Sequence, residues 1–148
     1  MTRTFSLTSD GLSTYIGYAL YSSDEVALVS PWISDITIKF PVNNEFGDRR
    51  MLLSEAIRKL EGETRVNVLI RSGEEHNNYI RAELAKTVQV HSIDDLHAKC
   101  VVAPEHVYTG SANITRGGLH INRELCQINE NPYDSVLEYV REELALYY

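Results

Sequence analysis

The chain is expected to fold as an α/β protein, an α-β-α sandwich with helices on both faces of a central mixed β-sheet. Three observations predict this. The apolar runs Val26–Val29 and Val66–Ile70 are nearly continuous rather than alternating, as in strands covered on both faces. Segments with apolar residues at helical spacing lie before, between and after them. Two later apolar runs, 98–103 and 107–109, are separated by Pro104-Glu105, a turn so short that the second run must return antiparallel beside the first.

Taken in order, Asp10 is expected to cap a helix from Gly11 to Tyr21, whose apolar face is Leu12, Ile16 and Ala19-Leu20. A buried strand follows at Glu25–Ser30 and is stopped by Pro31. Trp32, just past its end, reads either as a core or rim aromatic or as a wall of a substrate cleft, because ligands gather at strand ends in such sheets. Ile36–Phe40 alternates and fits an edge strand or an ordered loop. Asp48 can cap a helix over 49–61, with Leu52, Leu53, Ala56, Ile57 and Leu60 on one face and Gly62 past its end.

Arg65–Arg71 reads as the next strand. Ser72 and Glu75 have the spacing of a capping box for a helix over 74–86, or else His76-Asn77-Asn78 form a mobile loop over the site. His76 reads as a surface residue rather than a substrate contact. Val88–His91 is a short strand, 98–103 and 107–109 form the hairpin, and Gly117-Gly118 make a bend. Arg123–Asn129 is a further strand. Asn131-Pro132 then starts a last helix with Tyr133, Val136, Leu137, Val140 and Leu144 on one face.

With 148 residues the chain is expected to be one domain, 1–148, large enough for one three-layer core. No apolar run approaches the ~20 residues of a bilayer span, and the first residues lack the apolar core of a secretory signal. Cys100 and Cys126 both fall in strands and read as reduced, buried thiols, so a cytoplasmic location is expected. The net charge of −7 excludes a general nucleic-acid coat protein, yet is compatible with a local positive cleft.

The chemistry concentrates between His97 and Asn113. Side chains alternate along the strand read at 98–103, so His97 and Lys99 project to one side while Ala98 and Cys100 project to the other, which places an imidazole beside an ammonium. The hairpin brings Ser111 and Asn113 of Gly110-Ser-Ala-Asn back to the same end. A group that attacks or donates a proton, a fixed positive charge and neutral hydrogen-bond donors together suit a phosphate. Two basic groups placed together need an anion to balance them, and Glu124 is the candidate, since 124, 126 and 128 share a face. Arg116 is a further candidate contact. His91, Asp94, Asp95 and His97 match no metal-ligand spacing, and Lys99 beside them repels a cation, so no metal and no cofactor is expected.

The stretch LHAKCVV…YTGSANITRGGLHINREL resembles the signature half-site of the phospholipase D superfamily: His-x-Lys, a spaced Asp, then Gly-Ser-x-Asn. VALVSPWISD and RVNVLIR resemble that family's earlier core strands, and the likeness runs from about residue 11 to the end. There are two departures: Pro104 stands where the family has its Asp, with Glu105 next to it, and Gly110 follows His97 by 13 residues, one fewer than usual. Both fall in the turn.

The resemblance implies His97 as nucleophile and acid, Lys99, Ser111 and Asn113 as phosphate ligands, and Glu124 as the carboxylate that orients the imidazole. It also implies two such motifs per site, and this chain carries one His-x-Lys. The expected partner is therefore a second copy, in a symmetric homodimer with the two His97 rings facing across the axis.

The expected function is a metal-independent phosphodiesterase, a nuclease cutting DNA, or less readily RNA, through a phospho-histidine intermediate. The alternatives are a catalytically silent nucleic-acid-binding or assembly module of the same fold and a phospholipid-directed enzyme. The latter is weakened by the lack of a membrane segment or a basic amphipathic helix. A place in a larger nuclease or defence complex is compatible with so small a chain.

Overall fold

The computed structural model describes residues 4–7, 9–40, 50–121 and 123–148. The elements follow the order β1 (Thr4–Leu7), α1 (Ser9–Ser22), β2 (Glu25–Val29), β3 (Thr37–Lys39), β4 (Arg50–Leu52), α2 (Leu53–Lys59), β5 (Arg65–Arg71), α3 (Asn78–Leu84), β6 (Gln89–Ile93), β7 (Cys100–Val102), β8 (His106–Gly110), β9 (Cys126–Glu130) and α4 (Val136–Leu144). Seven strands make one sheet in the order β1-β9-β8-β7-β2-β5-β6. Strands β2, β5 and β6 run parallel, and β7 joins β2 antiparallel, as do β8 and β9 in turn. The sheet is mixed, as the short turn requires.

The near-continuous apolar runs have the meaning expected of them. Along β2, Val26 and Leu28 pack on one side with α1, α2 and α3, whereas Ala27 and Val29 pack on the other with Val136 and Val140 of α4. Successive side chains of one strand thus supply two cores, and neither face is left for polar residues. Val101 of β7 faces the three-helix side, and Cys100 and Val102 face α4.

The hairpin is as short as two residues allow. Cys100 pairs with Thr109 and Val102 with Val107, and the Ala103 N–H donates to the His106 carbonyl at 2.9 Å. Pro104 and Glu105 alone make the turn.

Several boundaries differ from expectation. The ladder holding β7 begins only at Cys100, so His97, Ala98 and Lys99 lie before the strand, in a stretch without regular secondary structure, rather than the strand starting at 98. The cause is across the sheet: β2 ends at Val29, and Pro31 beyond it has no N–H to continue the pairing. Helix α1 starts at Ser9, which puts Asp10 in its first turn rather than at its cap.

Residues 50–52 pair antiparallel with 37–39 as a small second sheet, so α2 begins at Leu53, and Leu52 is exposed on a strand instead of buried on a helix. Asp48 lies outside the described residues. The α2 start is served from a distance: the Ser54 N–H donates to Asp35 Oδ1 at 2.8 Å and the Ser54 hydroxyl to Oδ2 at 2.6 Å.

The helix expected over 74–86 is a 3-10 turn at Glu75–Asn77 followed by α3, and the Ser72 hydroxyl donates to Asp94 instead of closing a capping box. A short π-helical turn occupies Gly117–Ile121. Strand β9 starts at Cys126, three residues later than expected, which leaves Glu124 in the approach to the strand. The last helix starts at Val136, after Ser135, whose hydroxyl accepts from the Glu138 N–H at 3.0 Å; Pro132 lies in the preceding loop.

Candidate active site

The strand ends that carry the motif residues meet at one end of the sheet. His97, Lys99 and Ser111 line one open cleft of about 510 Å³, together with Ala98, Thr109, Gly110, Leu125 and Gln127. His97 is exposed and Lys99 half-buried. The Lys99 ammonium folds back to donate to the His97 carbonyl at 3.0 Å, so the charge stays beside the imidazole's own residue.

Ser111 is fixed from three sides. Its N–H donates to the Leu125 carbonyl at 3.0 Å, its Oγ accepts from the Leu125 N–H at 2.9 Å, and its hydroxyl donates to Glu124 Oε2. Glu124 is therefore brought to the site through Ser111. Among the described residues no hydrogen bond joins it to the His97 ring.

Two features hold the Gly-Ser-Ala-Asn loop in this shape. A side chain at Gly110 would place its first carbon 2.1 Å from the Leu125 carbonyl oxygen, so only glycine lets the two backbones come this close. Tyr108 is fully buried, and its hydroxyl both donates to the Ala112 carbonyl at 3.0 Å and accepts from the Ala112 N–H at 3.1 Å. One phenol thus satisfies the residue between Ser111 and Asn113. Burial, with Cys126 and Glu124 nearby, keeps this phenol protonated well above its ordinary range.

Asn113 does not line the cleft; it stands next to it, against the end of β2. Its Oδ1 accepts from the Trp32 N–H at 3.3 Å and lies 3.2 Å from the Ser30 hydroxyl. With the oxygen engaged there, the amide NH2 is the end left to donate to a ligand. Ser30 ties the region together, with its Oγ 2.5 Å from the Trp32 carbonyl and accepting from the Ile114 N–H at 3.0 Å.

Asn77 does the same from the other side. It is 1% exposed, donates to the Pro31 carbonyl at 2.8 Å and accepts from the Ile33 N–H at 2.9 Å. Ser30 is no candidate on sequence, since a serine before a proline looks like loop punctuation, and Asn77 is read there only as part of a mobile loop over the site, not as the buried clamp it is. The only hint is their place beside strand ends.

Trp32 is a rim residue, 45% exposed, and stands by Asn113 rather than in the His97 cleft. Arg116 is exposed on the loop after Asn113 and is not part of the cleft lining. His91, Asp94, Asp95 and His97 do not gather: among the described residues no three His, Cys, Asp or Glu side chains are placed to hold a metal ion. No helix of the described residues is long and apolar enough to cross a membrane.

This arrangement can be set beside known proteins. Residues 37–145 match the model of the family described as "Cardiolipin synthase, PLD-like domain". No curated protein sequence matches the chain. Among solved structures, NucT from Helicobacter pylori aligns with a TM-score of 0.66 at 12% identity, over 98% of this chain and 93% of that one. Nuc from Salmonella typhimurium, a phospholipase D family member, aligns with a TM-score of 0.61 at 14% identity, over 88% of this chain and 84% of that one. The family match spans most of the chain and the whole His97–Glu124 region, and the structural matches share the fold: the chain belongs to the phospholipase D superfamily.

Proposed function

We propose that this protein is a metal-independent phosphodiesterase acting on nucleic acid, with a site completed by a second copy of the chain. Membership of the superfamily supports phosphodiester chemistry in general. The observation that carries the finer reading is that His97, Lys99 and Ser111 face one open cleft, with Glu124 tied to Ser111 and the Asn113 amide alongside.

In this reading a neutral His97 nitrogen attacks phosphorus. A P–N bond forms and the P–O bond to the leaving group breaks, while the protonated His97 of the partner gives its proton to the departing oxygen. Water then attacks phosphorus, the P–N bond breaks and the water's proton passes to the partner imidazole. Lys99 and the Asn113 NH2 neutralise the non-bridging oxygens as charge grows on them. Glu124 accepts from the Ser111 hydroxyl and so fixes the Ser111 side chain at the edge of the cleft.

Among the described residues one imidazole, that of His97, lines this cleft, and the reaction needs two proton states at once.

The test is cleavage of plasmid and of labelled oligonucleotides by the full chain in excess chelator. Activity is expected there, and His97→Ala should lower it by about 10²-fold or more. A chain that cuts no phosphodiester with or without divalent metal would contradict the reading.

A further inference from the structure

Nearly half of Trp32 is in solvent, yet its backbone N–H and carbonyl are both hydrogen-bonded. The Trp32 N–H goes to Asn113, its carbonyl meets Ser30, and Asn77 clamps the residues on either side. The next two residues are locked as well: Ile33 bridges to Ile114, and the Ser34 N–H donates to the Ile114 carbonyl at 2.9 Å.

His76 stacks on the indole with ring centroids 5.7 Å apart and planes 27° from parallel. Its ring nitrogen Nε2 lies 2.8 Å from the Ser34 hydroxyl, which fixes the imidazole in turn. Two exposed aromatic rings are thus stacked and oriented with no core to fill.

Their position is as specific as their rigidity. Val29 pairs with Cys100 on neighbouring antiparallel strands. Trp32 lies three residues beyond Val29, and His97 three residues before Cys100, so both emerge from adjacent strand ends. Asn113, two residues on from the cleft residue Ser111, holds Trp32 through its oxygen, which leaves its NH2 as the end to donate to an anion.

We propose that Trp32 and His76 form a stacking platform for an unpaired base of a single-stranded nucleic acid whose phosphate lies at the His97 cleft. This rests on the phosphodiesterase reading and names its substrate class. Base–aromatic stacking requires an open base face, which a duplex covers and a single strand offers. The net charge of −7 adds a second reason. A chain this acidic gains little from phosphate contacts spread along a strand, so one held phosphate and one stacked base are its means of grip. Because the rings are already fixed, little side-chain freedom is lost on binding.

Trp32 is the chain's single tryptophan, so its emission reports this platform alone. A His97→Ala chain, which does not consume its ligand, is titrated with single-stranded deoxy- and ribo-oligonucleotides, the same strands with abasic residues, and a duplex. Base-containing single strands are expected to quench the emission and to bind roughly ten-fold tighter than abasic or duplex forms. The deoxy and ribo arms separate DNA from RNA as the source of the base.

In the same background, Trp32→Ala should erase the preference for bases in a binding assay with labelled strands, and Trp32→Phe should keep part of it. Unchanged emission at saturating oligonucleotide, or equal affinity for abasic and base-containing strands, overturns the platform. Wild-type cleavage, run in parallel, separates the two claims. A chain that is quenched by bases but cuts nothing keeps the platform and loses the enzyme. A chain that cuts abasic and intact strands equally, with or without Trp32, keeps the enzyme and loses the platform.

Discussion

Tyr108 is an apolar strand residue by its sequence context, and its hydroxyl is nonetheless the group that shapes the site. Removing that oxygen leaves the Ala112 N–H and carbonyl buried without partners, each of which costs about 1–3 kcal/mol. Tyr108→Phe should therefore lower stability in denaturant unfolding by about that amount or more, and lower the proposed activity as well, because Ala112 adjoins Ser111. A Tyr108→Phe chain as stable and active as the wild type would show that the loop holds itself.

Cys100 is a second residue whose state follows from its surroundings. Burial pushes its thiol up to about 12, so almost no thiolate exists near neutrality. The folded chain should resist alkylation at Cys100 on a timescale at which the denatured chain reacts fully, as read by mass spectrometry. At this scale the sequence was informative about the candidate site groups and silent about their supports. His97, Lys99, Ser111 and Asn113 are spelled out by spacing along the chain. Ser30, Asn77 and the Tyr108 hydroxyl act through contacts 83, 44 and 4 residues away in sequence, and the two long-range ones leave no local pattern.

Elements were legible where one face repeats and illegible where a distant residue decides the boundary. The parity of Val26–Val29 gave β2 both of its cores. The start of α2 was misread because the apolar pair Leu52-Leu53 fits a helical face equally well, whereas pairing with 37–39 turns 50–52 into a strand. Asp35, 19 residues upstream, then supplies the helix cap. Asp35→Ala should cost about 0.5–2 kcal/mol, and Asp35→Asn, which keeps an acceptor for the Ser54 N–H, should cost less. Equal losses in a thermal or denaturant comparison would mean that the cap is not what Asp35 contributes.

Strand β6 carries a pH dependence. His91 stacks near Tyr148 and lies 3.3 Å from Asn67 Oδ1, and desolvation lowers its pKa from the ordinary 6.5. The folded state thus prefers the neutral ring. As pH falls through 6.5 the unfolded chain takes up a proton before the folded chain does, so stability declines until the pH passes the folded value and then levels. His91→Gln should flatten that acid-side decline in unfolding midpoints between about pH 7 and pH 5. A decline of the same slope in the variant would assign it to other groups.

For the molecule as a whole, the two-residue turn at Pro104-Glu105 decides most. It reverses the chain, makes the sheet mixed, and returns Ser111 and Asn113 to the end where β2 releases Trp32. That convergence was foreseeable from the spacing, and a rim position was one of the readings open to Trp32; its pairing with His76 was not foreseeable, since two residues 44 apart meet there. The same end of the sheet is where the proposed second copy must sit.

If both imidazoles of one reaction come from different chains, then a mixture of wild-type and His97→Ala protomers, co-folded to allow random pairing, has a quantitative signature. Only dimers with two wild-type chains hold both a nucleophile and an acid, so an equal mixture should keep about one quarter of the activity of the same total of wild-type dimer. Independent monomers would keep about one half under the same two-fold dilution. A result at one half, with a solution mass of one chain, would confine the chemistry to a single copy and require a second acid from within it.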